Sequence, residues 1–145
     1  MIAVGFALIL PCTTAAAGTL TGIAQAIDGD TIRVGDVKVR LQGVNAPEKT
    51  ESLATEANRF MADLVNGKPV TCHLDGTVTH DRVVGICFVA GTEIGTAIVA
   101  AGLARDCRRF SRGRYGAIEA QNARQSITEK PYCQARSGTE QKQKL

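Results

Sequence analysis

The sequence predicts a small α+β protein, and two residue patterns together with the composition support this class. Some segments alternate apolar and polar residues with a period of two, as half-buried β-strands do, and others space apolar residues three and four apart, as helices do. A chain of 145 residues is long enough for one domain with a real core, and a hydrophobic content of 44% excludes a disordered protein. These patterns do not decide how the strands are arranged.

The first well-defined element is a β-hairpin over residues 31–41. Two alternating runs flank Gly35 and Asp36, and glycine at the first central position suits a two-residue type II′ turn. Such a turn pairs Val34 with Val37 and thereby fixes the register of the whole hairpin.

This register collects polar residues at one end of the strands. It places Thr31 opposite Arg40, so that Asp30 is a diagonal neighbour of Arg40 at roughly 7–8 Å. Beyond the hairpin the chain bends at the proline of an Ala-Pro-Glu segment, because a residue before proline avoids the helical conformation. Asn45 and Glu48 are therefore expected to fold back toward the same strand ends.

Apolar spacing and chain-breaking residues predict the remaining elements, which are a helix over 53–64, strands over 69–75 and 82–90, and helices over 92–101 and 114–129. Gly67 and Pro69 end the first helix, Gly102 caps the second, and Lys130-Pro131 ends the third. The order is then three strands, a helix, two strands and two helices. Since no repeat or linker interrupts the sequence, we predict one domain over residues 18–136.

Residues 1–17 are predicted to be an export signal and not part of the fold. Their apolar stretch is too short to span a bilayer, and Ala15-x-Ala17 fits a signal-peptidase site with cleavage before Gly18. The mature protein is then expected in the periplasm or secreted. A membrane tether through the uncleaved N-terminus or a lipid on Cys12 is the alternative. The polar residues 137–145 are predicted to form a disordered tail.

The cysteines that follow the predicted cleavage site suggest two disulfides. Four remain, and an even number in an exported chain favours pairing, with three possible connectivities. Cys72 and Cys87 lie in the two predicted neighbouring strands, which favours their pairing and leaves Cys107 to pair with Cys133. Each bridge would contribute about 2–4 kcal/mol to stability. The alternative, a zinc site made of the first pair and the two histidines, has a spacing that matches no common zinc module.

The polar cluster at the hairpin end belongs to a longer motif. Asp28-Gly29-Asp30-Thr31 is followed, nine residues after the threonine, by Arg-Leu-Gln-Gly-Val-Asn-Ala-Pro-Glu over 40–48. This combination resembles the staphylococcal nuclease (thermonuclease-like) family. The likeness covers roughly residues 20–130 and includes Thr79-His80-Asp81-Arg82, Gly102-Leu103-Ala104, Arg114-Tyr115, Glu119 and Ala123. It implies a five-stranded OB-fold β-barrel with three helices.

The resemblance also implies that Arg40, Glu48 and Arg82 are the catalytic residues of a nuclease. In the family these positions serve the hydrolysis of DNA and RNA, with 3′-phosphate ends as products. The residue types suit the task, because a guanidinium binds phosphate at two points, and a carboxylate can orient the attacking water or accept its proton. Arg82 is aligned by assuming a shortened loop, since the family often reads Asp-x-x-Gly-Arg there; a structural pairing with Asp81 is the alternative.

A calcium site at Asp30, Asn45 and the backbone carbonyl of Ala46 is a further implication of the resemblance. Oxygen ligands suit Ca²⁺, and Mg²⁺ or Mn²⁺ are alternatives. Asn45 stands where the best-known family members have an aspartate, and we expect calcium to bind about tenfold more weakly if about 1.4 kcal/mol of attraction is lost. Asp28 is expected to cap the turn or to support Asp30.

A basic run after the predicted second helix is a candidate surface for nucleic acid. The candidates for substrate binding are Arg105, Arg108, Arg109, Arg112, Arg114 and Tyr115. A solvated charged loop is the alternative for the arginines, and Tyr115 either packs on the barrel or contacts a nucleotide. Aromatic residues make up only 4% of the chain, which disfavours a protein that binds single strands mainly by stacking.

Together these observations predict an exported, calcium-dependent nuclease that acts on DNA or RNA as a monomer, without a stable protein partner. Two alternatives remain: a catalytically weakened or inactive OB-fold module that only binds nucleic acid, and a disulfide-stapled protein that binds a protein partner. Glu48 and the two arginines favour the enzyme, because a simple binding module needs no base beside a cation site.

Overall fold

The computed structural model describes residues 17–135, which form a closed five-stranded β-barrel with helices packed against it. The strands are β1 (Gly18–Ala26), β2 (Thr31–Val34), β3 (Val37–Leu41), β4 (Val44–Asn45), β5 (Pro69–Thr79), β6 (Arg82–Val89), β7 (Thr92–Glu93) and β8 (Arg105–Asp106). The helices are α1 (Ala54–Val65), α2 (Ile94–Ala100), α3 (Arg108–Ser111) and α4 (Gln121–Ser126), followed by a 3₁₀ turn at Pro131–Cys133. Residues 1–16 of the predicted export signal and the predicted tail over 137–145 lie outside the described residues.

The barrel strands follow the order β3-β2-β1-β5-β6, and each neighbouring pair is antiparallel. A parallel pairing of β3 with β6, which sets Val39 beside Val83, joins the two outer strands and closes the cylinder. Closure removes the unpaired edges that an open sheet would present to other chains. The five-stranded barrel implied by the resemblance is confirmed.

The inward-facing side chains of the strands meet α1 and α2 in one apolar core. Ile32 and Val39 of the hairpin are fully buried, and Met61 of α1 and Ile98 of α2 pack against the same cluster. The period-two pattern of the strands and the helical spacing of α1 therefore describe the faces that turn inward.

The hairpin has the predicted register and turn. Val34 pairs with Val37, and Thr31 pairs with Arg40. Of the two turn residues only Gly35 has a positive φ, of +57°, as a type II′ turn requires. The hairpin therefore brings its polar strand ends together as expected.

The helix predicted over residues 114–129 is wrong in extent. Only α4 is helical there, whereas residues 112–118 form turns, and the short helix α3 precedes them. Arg112 ends α3 in the left-handed conformation, with a φ of +58°. Tyr115 then turns into the core, where its hydroxyl donates to Glu93 Oε1 at 2.5 Å. Burial of the Tyr115 ring determines the path of the chain over residues 112–118. As a result, the described residues contain four α-helices instead of the three predicted.

The two disulfides are the pairs that the sequence favours. Cys72 and Cys87 lie directly opposite each other on β5 and β6, and Cys107 joins Cys133. The second bridge fastens the chain after α4 to the start of α3. Between residues 17 and 135, none of the helices has the length and apolarity that crossing a bilayer requires.

Candidate active site

A polar pocket lies where the loops after β1 and β4 meet β3 and the first residue of β6. Its walls are formed by Asp28, Asp30, Arg40, Ala46, Pro47, Glu48, Lys49, Thr50, Ala54, Asn58, Arg82 and Tyr132. The pocket therefore brings together all three residues predicted to be catalytic and two of the three predicted to hold a metal ion. Asn45 and the residues predicted to bind substrate do not line it.

The hairpin register fixes Arg40 against Asp30. Arg40 Nη2 lies 3.2 Å from Asp30 Oδ2, and Arg40 Nη1 donates to the carbonyl of Leu41 at 3.0 Å. The two charged side chains are only 15% and 18% exposed, so the pair is shielded from solvent. Burial raises the pKa of the Asp30 carboxyl to about 6; the charge of Arg40 opposes this shift, and the neighbouring carboxylate of Asp28 reinforces it. In the folded protein the positive charge of Arg40 therefore does not offset the cost of burying an ionised Asp30.

Arg82 reaches the same pocket from β6. The parallel seam of the barrel sets the start of β6 beside β3, where Arg40 lies. Arg82 Nη1 donates to Thr31 Oγ1 at 3.2 Å. Asp81 instead pairs with Lys38 at 2.5 Å, and this hydrogen bond lowers the pKa of the Asp81 carboxyl. Arg82 is therefore not engaged by the carboxylate that the sequence suggests as its alternative partner.

Glu48 lies at the rim of the pocket in the loop between β4 and α1. Its side chain is 62% exposed, and Oε1 lies 2.8 Å from Lys130 Nζ. The backbone amide of Glu48 donates to Glu51 Oε2 at 2.5 Å, and Glu51 Oε1 accepts from the amide of Thr128 at 2.6 Å. Sequence reasoning missed Glu51, Thr128 and Lys130, because no local pattern signals a contact between residues 77 positions apart.

Two carboxylates in the pocket fit a hard cation, whereas Asn45 does not line the pocket. The amide of Asp30 donates to Asp28 Oδ1 at 3.0 Å, and both side chains line the pocket beside Ala46. Asn45 is 1% exposed, and its Nδ2 donates to the carbonyl of Thr128 at 3.0 Å. Within residues 17–135, no three His, Cys, Asp or Glu side chains are grouped so that they could hold a metal ion. The backbone amide of Ala46 donates to Asp30 Oδ2 at 3.4 Å. An ion in this pocket would depend on the two carboxylates together with neutral oxygen donors.

Three residues of the predicted substrate-binding set have structural contacts. Arg114 Nη2 donates to Gln42 Oε1 at 3.1 Å, and its Nε lies 4.0 Å from Glu93 Oε1. Arg105 Nε donates to Glu119 Oε1 at 3.0 Å, and Arg105 Nη1 donates to the carbonyl of Ile127 at 3.1 Å. Tyr115 is 1% exposed and leaves no surface for a nucleotide. Arg105 therefore has structural partners, and Tyr115 takes the first of its two alternatives, since it packs on the barrel.

A less polar groove leads from the pocket toward the exposed arginines. It shares Arg40, Arg82 and Tyr132 with the pocket, and Phe110 forms part of its wall. Next to it lies a basic depression lined by Gln42, Arg109, Phe110, Ser111, Arg112 and Arg114, while Arg108 is exposed outside this depression. The rings of Phe110 and Tyr132 lie 6.4 Å apart. Sequence reasoning missed both aromatic residues, although the predicted disulfide of Cys107 with Cys133 joins the two segments that carry them.

The chain is similar to several known proteins. The family model described as Staphylococcal nuclease homologue matches residues 38–130. The chain is 30% identical over 125 residues to the succinoglycan biosynthesis protein ExoI of Rhizobium meliloti, an alignment that covers 78% of this chain and 65% of that protein. It is 32% identical over 87 residues to an uncharacterized endonuclease of Escherichia coli, covering 57% of each, and 26% identical over 94 residues to one of Haemophilus influenzae, covering 61% and 53%. The chain therefore spans less than two thirds of the length of these curated relatives.

Proposed function

Because the chain belongs to the family of staphylococcal nuclease homologues, we propose that it is a nuclease that hydrolyses phosphodiester bonds in DNA or RNA. The observation that carries this proposal is the convergence of Arg40, Arg82 and Glu48 on one pocket beside Asp28 and Asp30. The reaction that suits these residues best is metal-dependent cleavage of the thermonuclease type, which leaves 3′-phosphate ends.

The two guanidinium groups would bind the scissile phosphate. A phosphodiester repels an attacking hydroxide, and more negative charge gathers on its oxygens in the transition state, so fixed positive groups lower the barrier. Arg40 is held by Asp30 and the carbonyl of Leu41, and Arg82 is held by Thr31. A guanidinium has five N–H donors, and these contacts leave some of them available for phosphate oxygens.

Glu48 would orient the attacking water or accept its proton. Its carboxylate is largely exposed at the pocket rim, where the water must enter. Lys130 contacts only one of its two oxygens, so that the other remains an acceptor.

We propose Ca²⁺ as the metal, held by Asp30, Asp28 and the backbone carbonyl of Ala46; Mg²⁺ and Mn²⁺ suit the same oxygen donors. When bound, such an ion supplies positive charge beside the phosphate. The adjacent carboxylates favour a cation, because it would offset the repulsion between them. Asn45 anchors β4 to Thr128 through its Nδ2, and its Oδ1 is the atom through which it would contribute to the ion site.

Nucleic acid would run from the pocket along the groove to the basic depression. Arg109, Arg112 and Arg114 would contact backbone phosphates there, which makes affinity fall as salt rises. We further propose that the protein acts as a monomer after export to the periplasm or the medium. Its two disulfides support an oxidising compartment.

A plasmid-cleavage assay tests the proposed function. We expect cutting in the presence of Ca²⁺ and none after chelation, and we expect Glu48→Gln to lower the rate by about 100-fold or more. Glu56→Gln is the matched control, because it removes an exposed carboxylate from the first turn of α1 and should leave the rate unchanged. Retention of DNA on a gel without any cutting would contradict a nuclease and favour the nucleic-acid-binding module.

A further inference from the structure

We propose that Glu51 is a positioning residue for Glu48, and that it acts by fastening the loop over residues 46–53 to a segment here named the C-terminal strap, residues 127–133. The inference rests on the proposed function, since it concerns how the carboxylate at the pocket rim is held. Glu51 itself does not line the pocket.

The carboxylate of Glu51 uses both oxygens to join two distant parts of the chain. Oε2 accepts from the amide of Glu48 at 2.5 Å, and Oε1 accepts from the amide of Thr128 at 2.6 Å. The amide of Glu51 in turn donates to the carbonyl of Glu48 at 2.8 Å. Desolvation alone would raise the pKa of the Glu51 carboxyl, but the hydrogen bonds from Thr128 and Glu48 lower it, so the charged form is the one that is held.

The C-terminal strap is itself fixed to the rest of the molecule by several independent contacts. These are the hydrogen bonds of Asn45 to Thr128 and of Arg105 to Ile127, and the disulfide of Cys133 with Cys107. The strap therefore offers Glu51 a partner that cannot move freely. It also carries Tyr132, which lines the pocket and the groove.

The ion pair with Lys130 is not sufficient to hold Glu48. Glu48 is largely exposed, and an ion pair involving an exposed partner contributes only about 0–1 kcal/mol. Residues 47–50 belong to no helix or strand. The hydrogen bond that the Glu48 amide donates to Glu51 Oε2, together with the one from the Glu51 amide to the Glu48 carbonyl, fixes the backbone from which Glu48 projects. A displacement of about 1 Å can lower a rate about 100-fold, so this backbone contact is expected to control turnover.

Two substitutions of Glu51 test the inference by steady-state kinetics on a short DNA substrate. Glu51→Gln keeps one acceptor oxygen and should lower kcat by about threefold, whereas Glu51→Ala loses both and should lower kcat by about 30-fold or more. KM should stay within about twofold, because Glu51 does not line the pocket. Glu56→Ala is the matched control and should keep the wild-type kcat.

Amide hydrogen exchange provides a readout that does not depend on activity. In Glu51→Ala the amides of Glu48 and Thr128 should exchange faster, while those of the barrel strands keep their rates. Wild-type kcat in Glu51→Ala, measured below its unfolding temperature, would overturn the positioning role even if the variant is less stable. A raised KM with unchanged kcat would also contradict it. An inactive wild-type protein would instead overturn the proposed function, and the positioning role with it.

Discussion

At the scale of single residues, Asp30 carries a charge that makes the folded protein less stable. Burial raises the pKa of its carboxyl from 3.8 to about 6 even with Arg40 beside it. Because the folded-state pKa lies above the unfolded value, the folded state binds the proton more tightly. Protonation of Asp30 therefore adds about 3 kcal/mol to the free energy of unfolding. This stabilisation is fully present below pH 3.8 and is lost as the pH rises through about 6.

Asp30→Asn should therefore stabilise the protein at neutral pH while it abolishes cleavage. Without divalent ions we expect its free energy of unfolding at pH 8 to exceed that of wild type by up to about 3 kcal/mol, and the difference to shrink toward zero near pH 4. Urea unfolding over this pH range measures it. Asp36→Asn, in the exposed hairpin turn, is the control and should show no such trend. A variant that is less stable than wild type at pH 8 would contradict the burial argument.

At the scale of elements, α2 can pack against the segment after α3 because Gly95 of α2 has no side chain. A Cβ at Gly95 would meet the Tyr115 ring, with Cζ only 2.9 Å away. Tyr115 is buried and donates to Glu93 at the start of α2, so it cannot easily withdraw. Gly95 therefore makes room for the ring that determines the path of the chain after α3.

Gly95→Ala should destabilise the protein by about 1–3 kcal/mol through overpacking, although alanine is the better helix former. Thermal unfolding followed by circular dichroism measures this change. Gly18→Ala is the control, because a Cβ there meets nothing within 4 Å. If Gly95→Ala instead raised the melting temperature, the ring would have to be free to move aside.

Local contacts account for what the sequence could predict at this scale. The hairpin register follows from one turn and an alternating pattern, and the pairing of Cys72 with Cys87 follows from two adjacent strands. The helix expected over 114–129 was wrong, because a buried contact between Tyr115 and α2 outweighs helical spacing. Glu51 could not be found either, since its partner Thr128 lies 77 positions away.

At the scale of the whole molecule, the two disulfides should have different effects on stability and activity. Replacing Cys72 and Cys87 by alanine opens a loop of 15 residues and should lower the free energy of unfolding by about 3 kcal/mol. Activity at 25 °C should be unchanged, because neither residue lines the pocket.

Replacing Cys107 and Cys133 opens a longer loop of 26 residues and should cost about 3.5 kcal/mol. This variant should also lose activity, since the bridge ends the C-terminal strap. Urea unfolding and plasmid cleavage on both double variants measure the contrast. Equal activity in the two would mean that the bridge does not matter for the pocket.

Under the proposed function, the parallel seam between β3 and β6 would determine when the protein can first cleave its substrate. Arg40 and Arg82 belong to strands that meet only when β3 and β6 pair and the barrel closes. A chain that is still being translated has not yet closed its barrel and has no assembled active site. It would therefore leave intact the mRNA from which it is translated. Cleavage would then begin only after β3 and β6 have paired.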